Sequence, residues 1–267
     1  LVRAATDGVF YNFINPLTKS WCQRHVSLAG LGDSFYEYLL KEWLRTGHRD
    51  TEARRLYDLA LDGFLRMNML RPVESGHLFI TDFINDRNRD KMDHLACFAG
   101  GLFALGANST HDAWFKRGIE VTNTCRKSYT FSACGLGPDA FWYTNDVKFV
   151  GIGASDNHYY LRPETVESYF YLWRLTKDQK YRDWGYDVIQ ALEKYSFTGS
   201  GYSGLLNVYS FPLQLDDVQQ SFFLAETLKY LYLLYSEDTL LPLDRWVFNT
   251  EAHPFPIYGK VLYPFPK

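Results

Sequence analysis

Carboxylates stand at or near the start of every strongly apolar helical segment that the sequence predicts. Acids near a helix N-terminus complement the helix dipole, and for any single acid this ordinary explanation is sufficient. Four apolar helices that share the feature would bring their acids to one end of a common core, where like charges repel unless they hold a cation or serve acid–base chemistry. The acids are Asp33, Asp93, Glu164, Glu167 and Glu226.

A second candidate for chemistry lies near the C-terminus, where residues 248–254 place polar groups between apolar ones. Thr250 can offer both its carbonyl and its hydroxyl oxygen to a hard cation. Neighbouring carboxylates such as Glu251 could bind directly or through water, which suits Ca²⁺ and its about 6–8 oxygen ligands.

The elements that must position these groups alternate between two kinds of helix. Strongly apolar segments are typical of buried helices, whereas the segments between them carry one polar and one apolar face in a 3.6-residue rhythm. Asp50 and Asp178 are placed as N-caps of two amphipathic helices. The apolar helices are predicted at 33–45, 93–105, 164–175 and 218–235, and the amphipathic ones at 51–69, 110–129 and 178–195.

This alternation predicts one all-α domain, a two-layered ring or open arc of helical hairpins, because such repeats bury their inner faces only by stacking side by side. Short strands at 76–83 and 201–209 are expected to form hairpins at one rim. No Gly, Ser or Pro-rich linker interrupts the series.

Composition excludes several classes of protein. The 267 residues are 46% hydrophobic, which excludes a disordered chain, and the net charge of −3 gives no reason to expect nucleic acid as a partner. No stretch approaches the roughly 18–20 apolar residues of a membrane span. Aromatic residues make up 18% of the chain. They could pack a core or form platforms for sugar faces, and composition does not choose between these uses.

The cysteines and one sequon bear on the compartment. Cys22, Cys97, Cys125 and Cys134 have no zinc-site spacing and allow three full pairings or buried free thiols. Asn108 begins an Asn-Ser-Thr glycosylation sequon between two predicted helices. The chain opens with neither Met nor an apolar signal segment, so we expect it to be part of something longer.

Five ordered motifs together resemble the class I α-1,2-mannosidases, glycoside hydrolase family 47. They are residues 30–41, 93–98, 161–168, 220–230 and 248–254. The resemblance implies an (α/α)7 barrel with a hairpin that plugs one end, of which residues 1–267 would form the later, C-terminal part of a single catalytic domain.

The resemblance implies hydrolysis of terminal α-1,2-linked mannose from high-mannose N-glycans, with inversion. Glu164 matches the proposed general base and Asp33 a carboxylate on the acid side. An inverting hydrolase needs two carboxyl groups about 6.5–9.5 Å apart, which is feasible for acids that open different inner helices.

The family's cofactor is Ca²⁺, and the resemblance implies that Thr250 binds it directly through both oxygens. Glu167, Glu226 and Glu251 match the acids that hold its water ligands. The ion would orient the sugar and help to distort its ring.

Other residues are carried over in the same way. Phe222 matches the aromatic ring under the bound mannose, and His94 and Arg162 match sugar-contacting residues. The resemblance also pairs Cys97 with Cys125 and leaves Cys22 and Cys134 unassigned.

The chain departs from the family pattern in one respect. The family carries a further catalytic glutamate in an earlier helix, in a Phe-Glu-[Ser/Thr]-Thr-Ile-Arg type of context, and no such motif occurs here. We therefore expect the N-terminal hairpins to be absent from this chain, which would be inactive alone and would work with the N-terminal half of the same domain.

The subgroup is indicated by Leu31, two residues before Asp33. The endoplasmic-reticulum member that removes one mannose carries Arg at this position, so Leu favours the Golgi subgroup. We expect a lumenal domain of a type II membrane protein, anchored outside this chain, in the Golgi or secondly the endoplasmic reticulum. The alternatives are a mannosidase-like lectin of glycoprotein quality control and a purely structural helical scaffold.

Overall fold

A computed structural model describes residues 8–74 and 76–260 of the chain. Within these ranges the α-helices follow one another mostly as hairpins. A 3₁₀ turn, His94–Cys97, leads into the third helix, and a π-helical turn, Phe223–Thr227, leads into the last. The helices are α1 Asp33–Arg45, α2 Thr51–Arg66, α3 Phe98–Gly106, α4 Ala113–Phe131, α5 Glu164–Thr176, α6 Lys180–Tyr195 and α7 Leu228–Tyr235.

Short antiparallel strands connect the helices, in the groups β1-β2, β3-β6-β7, β4-β5, β8-β9-β10 and β11-β12. The strands are β1 Phe13–Ile14, β2 Trp21–Gln23, β3 His25–Val26, β4 Leu70–Glu74, β5 His77–Ile80, β6 Asp82–Ile84, β7 Arg87–Arg89, β8 Lys91–Asp93, β9 Ala140–Tyr143, β10 Lys148–Val150, β11 Trp246–Phe248 and β12 Pro254–Pro256.

The helices form two layers. Helix α3 packs between α4 and α5, helix α5 also packs on α6 and α7, and α1 packs on α2 and β11. Helices α3 and α5 are buried over most of their length, as predicted. Helices α1 and α7 are not buried all round, because Tyr38 is 44% exposed and Tyr232 is 68% exposed. Helix α1 also contacts α3, and α7 also contacts α6.

Small residues bring α3 very close to α4 and α5. A methyl group on Gly118 would lie 2.5 Å from the carbonyl oxygen of Gly100, and one on Gly101 would lie 2.8 Å from the Tyr171 ring. The disulfide Cys97–Cys125 joins the start of α3 to α4, which confirms the predicted pairing. Cys22 is an exposed thiol and Cys134 a buried one.

Several predicted boundaries are confirmed. Helix α1 begins and ends at the predicted residues and α5 begins at Glu164. Asp50 caps α2, since its carboxylate accepts a hydrogen bond from the backbone N–H of Ala53 at 2.9 Å. The helix predicted at 110–129 begins later, at Ala113, because Asp112 is the residue that caps it.

Other boundaries differ from the prediction. Asp93 ends β8, where it pairs with Ala140 of β9, and it is also the N-cap position of the 3₁₀ turn His94–Cys97, so the helical segment begins one residue after its predicted start and becomes α-helical at Phe98. Residues 218–220 lie outside the helix, which begins at Ser221, and the Asp216 carboxylate accepts a hydrogen bond from the Val218 N–H. Helix α6 begins at Lys180, two residues after the predicted start, and Asp178 caps it as predicted, since its carboxylate accepts a hydrogen bond from the backbone N–H of Lys180 at 3.1 Å. Residues 201–209 contribute only isolated bridges, whereas the strands at 76–83 exist.

None of the helices in the described ranges is long and apolar enough to cross a membrane.

Candidate active site

The N-terminal ends of the inner helices meet at a small cavity of about 40 Å³. Asp33 enters it from the start of α1, Glu164 and Glu167 from the start of α5, and Thr250 from the turn after β11. The structure therefore brings together four of the predicted site residues. The full lining is Asp33, Glu37, Leu95, Phe98, Glu164, Glu167 and Thr250.

A chain of hydrogen bonds, which we call the His94 chain, orients Glu164. His94 is buried, and its Nδ1 lies 2.9 Å from Oε2 of Glu164 while its Nε2 lies 2.7 Å from the hydroxyl of Tyr129. Burial raises the pKa of Tyr129 well above its usual value, so the phenol stays protonated and donates to Nε2. Because a carboxylate only accepts hydrogen bonds, the Nδ1 nitrogen of His94 carries a proton and donates it to Glu164. Thr165 Oγ1 lies 3.2 Å from His94 Nε2.

A second group, the Lys41 cluster, consists of Glu37, Lys41, Glu167 and Tyr230. Lys41 is buried and forms an ion pair with Glu37 one helical turn before it on α1. Its Nζ also lies 3.9 Å from Oε1 of Glu167 and 3.5 Å from the carbonyl oxygen of Asn249. The Tyr230 hydroxyl donates to Oε1 of Glu167 at 3.2 Å. Burial acts to lower the pKa of Lys41, but the adjacent carboxylates outweigh it and the pKa is raised.

The acids around the cavity are crowded. Burial, together with the charge of nearby Glu164, raises the pKa of Asp33. Burial also raises the pKa of Glu167 well above its usual value. It raises that of Glu226 to about 8, with further contributions from Glu164 and Glu251. Several carboxylates thus lie close together with too few positive charges nearby to offset their mutual repulsion. A bound cation or proton would therefore stabilise them.

Arg162 and Phe222 lie next to each other, as predicted sugar-binding residues should. The Arg162 guanidinium carbon lies 6.0 Å from the centre of the Phe222 ring, and its Nε donates to Oδ1 of Asp139 at 2.6 Å. Burial acts to lower the pKa of Arg162, but the carboxylates of Asp139 and Glu164 keep it raised. The guanidinium therefore remains a fixed cation beside the cavity.

The backbone just before Arg162 is strained. Leu161 has a φ of +62°, in the left-handed region that a branched residue rarely adopts. Its carbonyl accepts a hydrogen bond from the Thr227 hydroxyl at 2.6 Å, and both side chains are buried. Thr227 thus ties the π-helical turn that carries Glu226 to the segment that carries Arg162 and Glu164.

The predicted calcium residues divide by exposure. Thr250 and Glu251 are exposed in the turn that joins β11 to β12, whereas Glu167 and Glu226 are buried. Asn249 fixes this turn, because its side-chain oxygen accepts from the backbone N–H groups of Glu251 and His253. Among the described residues no group of three or more His, Cys, Asp or Glu side chains could hold a metal ion directly.

Sequence reasoning missed four residues that hold the site in place. Glu37 and Lys41 could have been found, since a charged pair four residues apart on an otherwise apolar helix face is unusual. Asp139 and Tyr129 carried no signal, because they reach Arg162 and His94 only through the tertiary fold. Asn108 is exposed in the loop between α3 and α4, where a glycan could be attached.

Comparison with known proteins gives consistent matches over nearly the whole chain. Residues 2–257 match the profile of Glycosyl hydrolase family 47. The chain is 55% identical over 260 residues to mannosyl-oligosaccharide alpha-1,2-mannosidase IA of Drosophila melanogaster, which covers 96% of this chain and 39% of that protein. It is 49% identical to mannosyl-oligosaccharide 1,2-alpha-mannosidase IB of Homo sapiens, over 94% of this chain and 40% of that protein.

A solved structure, the alpha-1,2-mannosidase from Trichoderma reesei, superposes with a TM-score of 0.84 at 29% identity. The match covers 95% of this chain and 57% of that one. The helix-rich architecture with small β-hairpins is that of the family's (α/α)7 barrel, so the predicted fold class is confirmed. The chain spans about two fifths of the length of the curated relatives it matches.

Proposed function

This chain belongs to glycosyl hydrolase family 47, and we propose that the protein that carries it hydrolyses terminal α-1,2-linked mannose from high-mannose N-glycans, with inversion at the anomeric carbon. The observation that carries the proposal is the shared cavity of Asp33 and Glu164, two acids that open different helices. Inversion requires two carboxyl groups on opposite sides of the scissile bond with room for a water molecule between one of them and the sugar.

In the proposed mechanism Glu164 is the general base. It takes a proton from the water that attacks the anomeric carbon, and the His94 chain holds its carboxylate in one orientation for that transfer. Asp33 serves on the acid side, which supplies a proton to the leaving oxygen. The raised pKa of Asp33 is consistent with this role, because a carboxyl that keeps its proton can donate it.

Two further residues would bind the substrate. Arg162 is held by Asp139 and offers hydrogen-bond donors to sugar hydroxyls, while Phe222 offers a ring face beside it. His94, expected from the sequence to contact the sugar, would instead act through Glu164, because its ring is buried and both ring nitrogens are engaged by Glu164 and Tyr129.

The residues present also fit a calcium ion. Thr250 would bind it through its carbonyl and hydroxyl oxygens, and Glu167, Glu226 and Glu251 would hold its water ligands. The fit rests on the crowding of buried carboxylates whose pKa values are raised next to an oxygen-rich turn. When bound, the ion supplies a hard positive charge that orients sugar hydroxyls and offsets repulsion among the acids.

We also propose that the chain forms the C-terminal part of a single catalytic domain. Its earlier hairpins and a further catalytic glutamate would come from the N-terminal half. Exposed aromatic side chains on α1 and α7, such as Tyr38 and Tyr232, support this, because further hairpins would offer surface to cover them. The disulfide favours an oxidising compartment, so we propose that the protein works in the secretory pathway. Within it we propose the Golgi, with a membrane anchor outside this chain. We also propose that Asn108 is glycosylated.

The test is the variant Glu164→Gln in the full-length protein. We expect it to bind a high-mannose glycan but to release mannose at least about a thousandfold more slowly, because the base is lost. The matched control is Glu237→Gln, which changes an exposed acid remote from the cavity. A wild-type protein that binds the glycan and releases no mannose would instead be a lectin.

A further inference from the structure

The chain turns sharply just before two residues of the candidate site. Leu161 has a φ of +62°, Arg162 follows it, and Glu164 opens α5 two residues later. A branched side chain disfavours this left-handed conformation, which persists only where the surroundings hold it. The backbone at Leu161 therefore sets the direction from which Arg162 and Glu164 reach the cavity.

The side chain that holds this turn is Thr227. Its hydroxyl donates to the carbonyl oxygen of Leu161 at 2.6 Å, and both residues are fully buried. In the protein interior a hydrogen bond is electrostatically stronger than in water. The chain before the turn is fixed separately, because the backbone of Tyr159 exchanges two hydrogen bonds of 2.9 Å with Leu205. These bonds fix Tyr159 but not the turn that follows it, so we expect the conformation of Leu161 to depend on Thr227.

Thr227 also belongs to the second element that carries site residues. It ends the π-helical turn Phe223–Thr227, after which the N–H of Leu228 donates to the carbonyl oxygen five residues earlier. Phe222 directly precedes this turn and Glu226 lies in it. Turns of this kind are rare and occur frequently at functional sites. One hydroxyl thus links the two elements that carry the predicted sugar-binding residues.

We propose that Thr227 is a positioning residue, whose hydroxyl holds residues 161–164 in place against Phe222 and so fixes the two sides of the sugar site relative to each other. The inference rests on the proposed function. One side supplies the guanidinium of Arg162, whose carbon lies 6.0 Å from the centre of the Phe222 ring on the other side. A shift of about 1 Å between groups that act together can slow a reaction about a hundredfold, even when the altered residue does not touch the substrate.

The test removes the hydroxyl and keeps the shape of the side chain. In the full-length protein, Thr227→Val should lower kcat for mannose release from a high-mannose glycan about tenfold to a hundredfold, because residues 162–164 are no longer held in place. Thr227→Ser keeps the donor and should retain most of the wild-type kcat. Thr227→Cys, with a weak S–H donor, should give an intermediate kcat and replaces the valine variant if that variant does not fold.

Thr122→Val is the matched control. Thr122 is equally buried, and its hydroxyl also donates to a backbone carbonyl, that of Gly118, at 2.8 Å within α4. We expect Thr122→Val to lower Tm without a comparable loss of kcat. The positioning role is overturned if Thr227→Val lowers kcat no more than Thr122→Val does, or if Thr227→Ser loses as much kcat as Thr227→Val.

A binding measurement keeps this inference separate from the proposed function. In the Glu164→Gln background, Thr227→Val should weaken binding of α-1,2-mannobiose about fivefold, and this loss should largely disappear once Arg162→Ala is also present. Two changes that act through one contact have effects that do not add, so additive losses would overturn the inference. A wild-type protein that releases no mannose would instead contradict the proposed function, and the binding result would still decide the role of Thr227.

Discussion

The cavity is bordered by two groups of side chains that hold carboxylates in different ways. The His94 chain orients one carboxylate, Glu164, by hydrogen bonds that end on a buried phenol. The Lys41 cluster instead places two buried carboxylates, Glu37 and Glu167, around one ammonium group. The first arrangement sets the direction of a carboxylate, and the second sets the charge around two of them.

The difference corresponds to two tasks. In the proposed mechanism Glu164 is a general base, which must keep one direction, and the hydrogen bond with His94 Nδ1 would hold it there. The proposed calcium ion would bind beside the buried acids, and Lys41 reduces the repulsion among these acids. We therefore expect changes in the Lys41 cluster to affect stability first and changes in the His94 chain to affect turnover first.

The largest expected effect is that of Lys41→Met. It removes the only ammonium from a cluster with two buried carboxylates, and breaking a buried pair costs about 3–5 kcal/mol. Calorimetry of the full-length protein should show Tm lowered by roughly 6–20 °C, at about 2–4 °C per kcal/mol. Lys116→Met is the control, since Lys116 has a side chain that is 79% exposed. A loss below about 1 kcal/mol would mean that Lys41 does not compensate these acids.

Tyr129→Phe should have a smaller effect, and we expect it to lower kcat rather than stability. It removes the hydroxyl that donates to His94 Nε2 and so frees the imidazole to change its protonated nitrogen. We expect kcat for mannose release to fall about tenfold with KM little changed, because one buried hydrogen bond to a polar network is lost. Tyr186→Phe is the matched control on an exposed residue. If kcat stays unchanged while Tm falls, Tyr129 is structural only.

The smallest expected effect is on the pH dependence of stability. The pKa of Glu226 is raised from 4.5 to about 8, so between these values the folded state binds a proton that the unfolded state has released. The free energy of unfolding therefore falls as pH rises through this range. In chelator-treated protein, Glu226→Gln should weaken that decline and raise Tm at pH 8 by roughly 2–4 °C.

Calcium supplies the control for this experiment. Added at pH 8, it should stabilise the wild-type protein more than Glu226→Gln, because the ion takes the place of the proton among the acids. If Tm depends on pH in the same way for the wild-type protein and Glu226→Gln, with or without calcium, then the pKa of Glu226 is not raised by burial and neighbouring acids.

Most of the fold was readable from local pattern. The 3.6-residue rhythm located α1, α2, α5 and α6 within a few residues, because their boundaries depend on caps and side chains nearby in sequence. Asp93 could not be placed in this way. Its strand, β8, pairs with β9 far along the chain, and no local pattern indicates that pairing, whereas the helical turn that follows at His94 agrees with the local pattern.

The sequence predicts the acids of the candidate site but not the residues that form hydrogen bonds with the site residues. Asp33, Glu164, Glu167 and Thr250 were recognisable from motifs, and the fold brings them to one cavity. The partners Asp139 and Tyr129 depend on a loop and a helix face whose positions only the packed structure defines.

The most direct test of the central proposal is to follow the sugar that the full-length protein releases from a high-mannose glycan, by proton NMR, within the first minutes. The account predicts β-mannose as the first product, since Glu164 and Asp33 act from opposite sides of the bond, and no release by Glu164→Gln. α-Mannose as the first product, or undiminished release by Glu164→Gln, would contradict it.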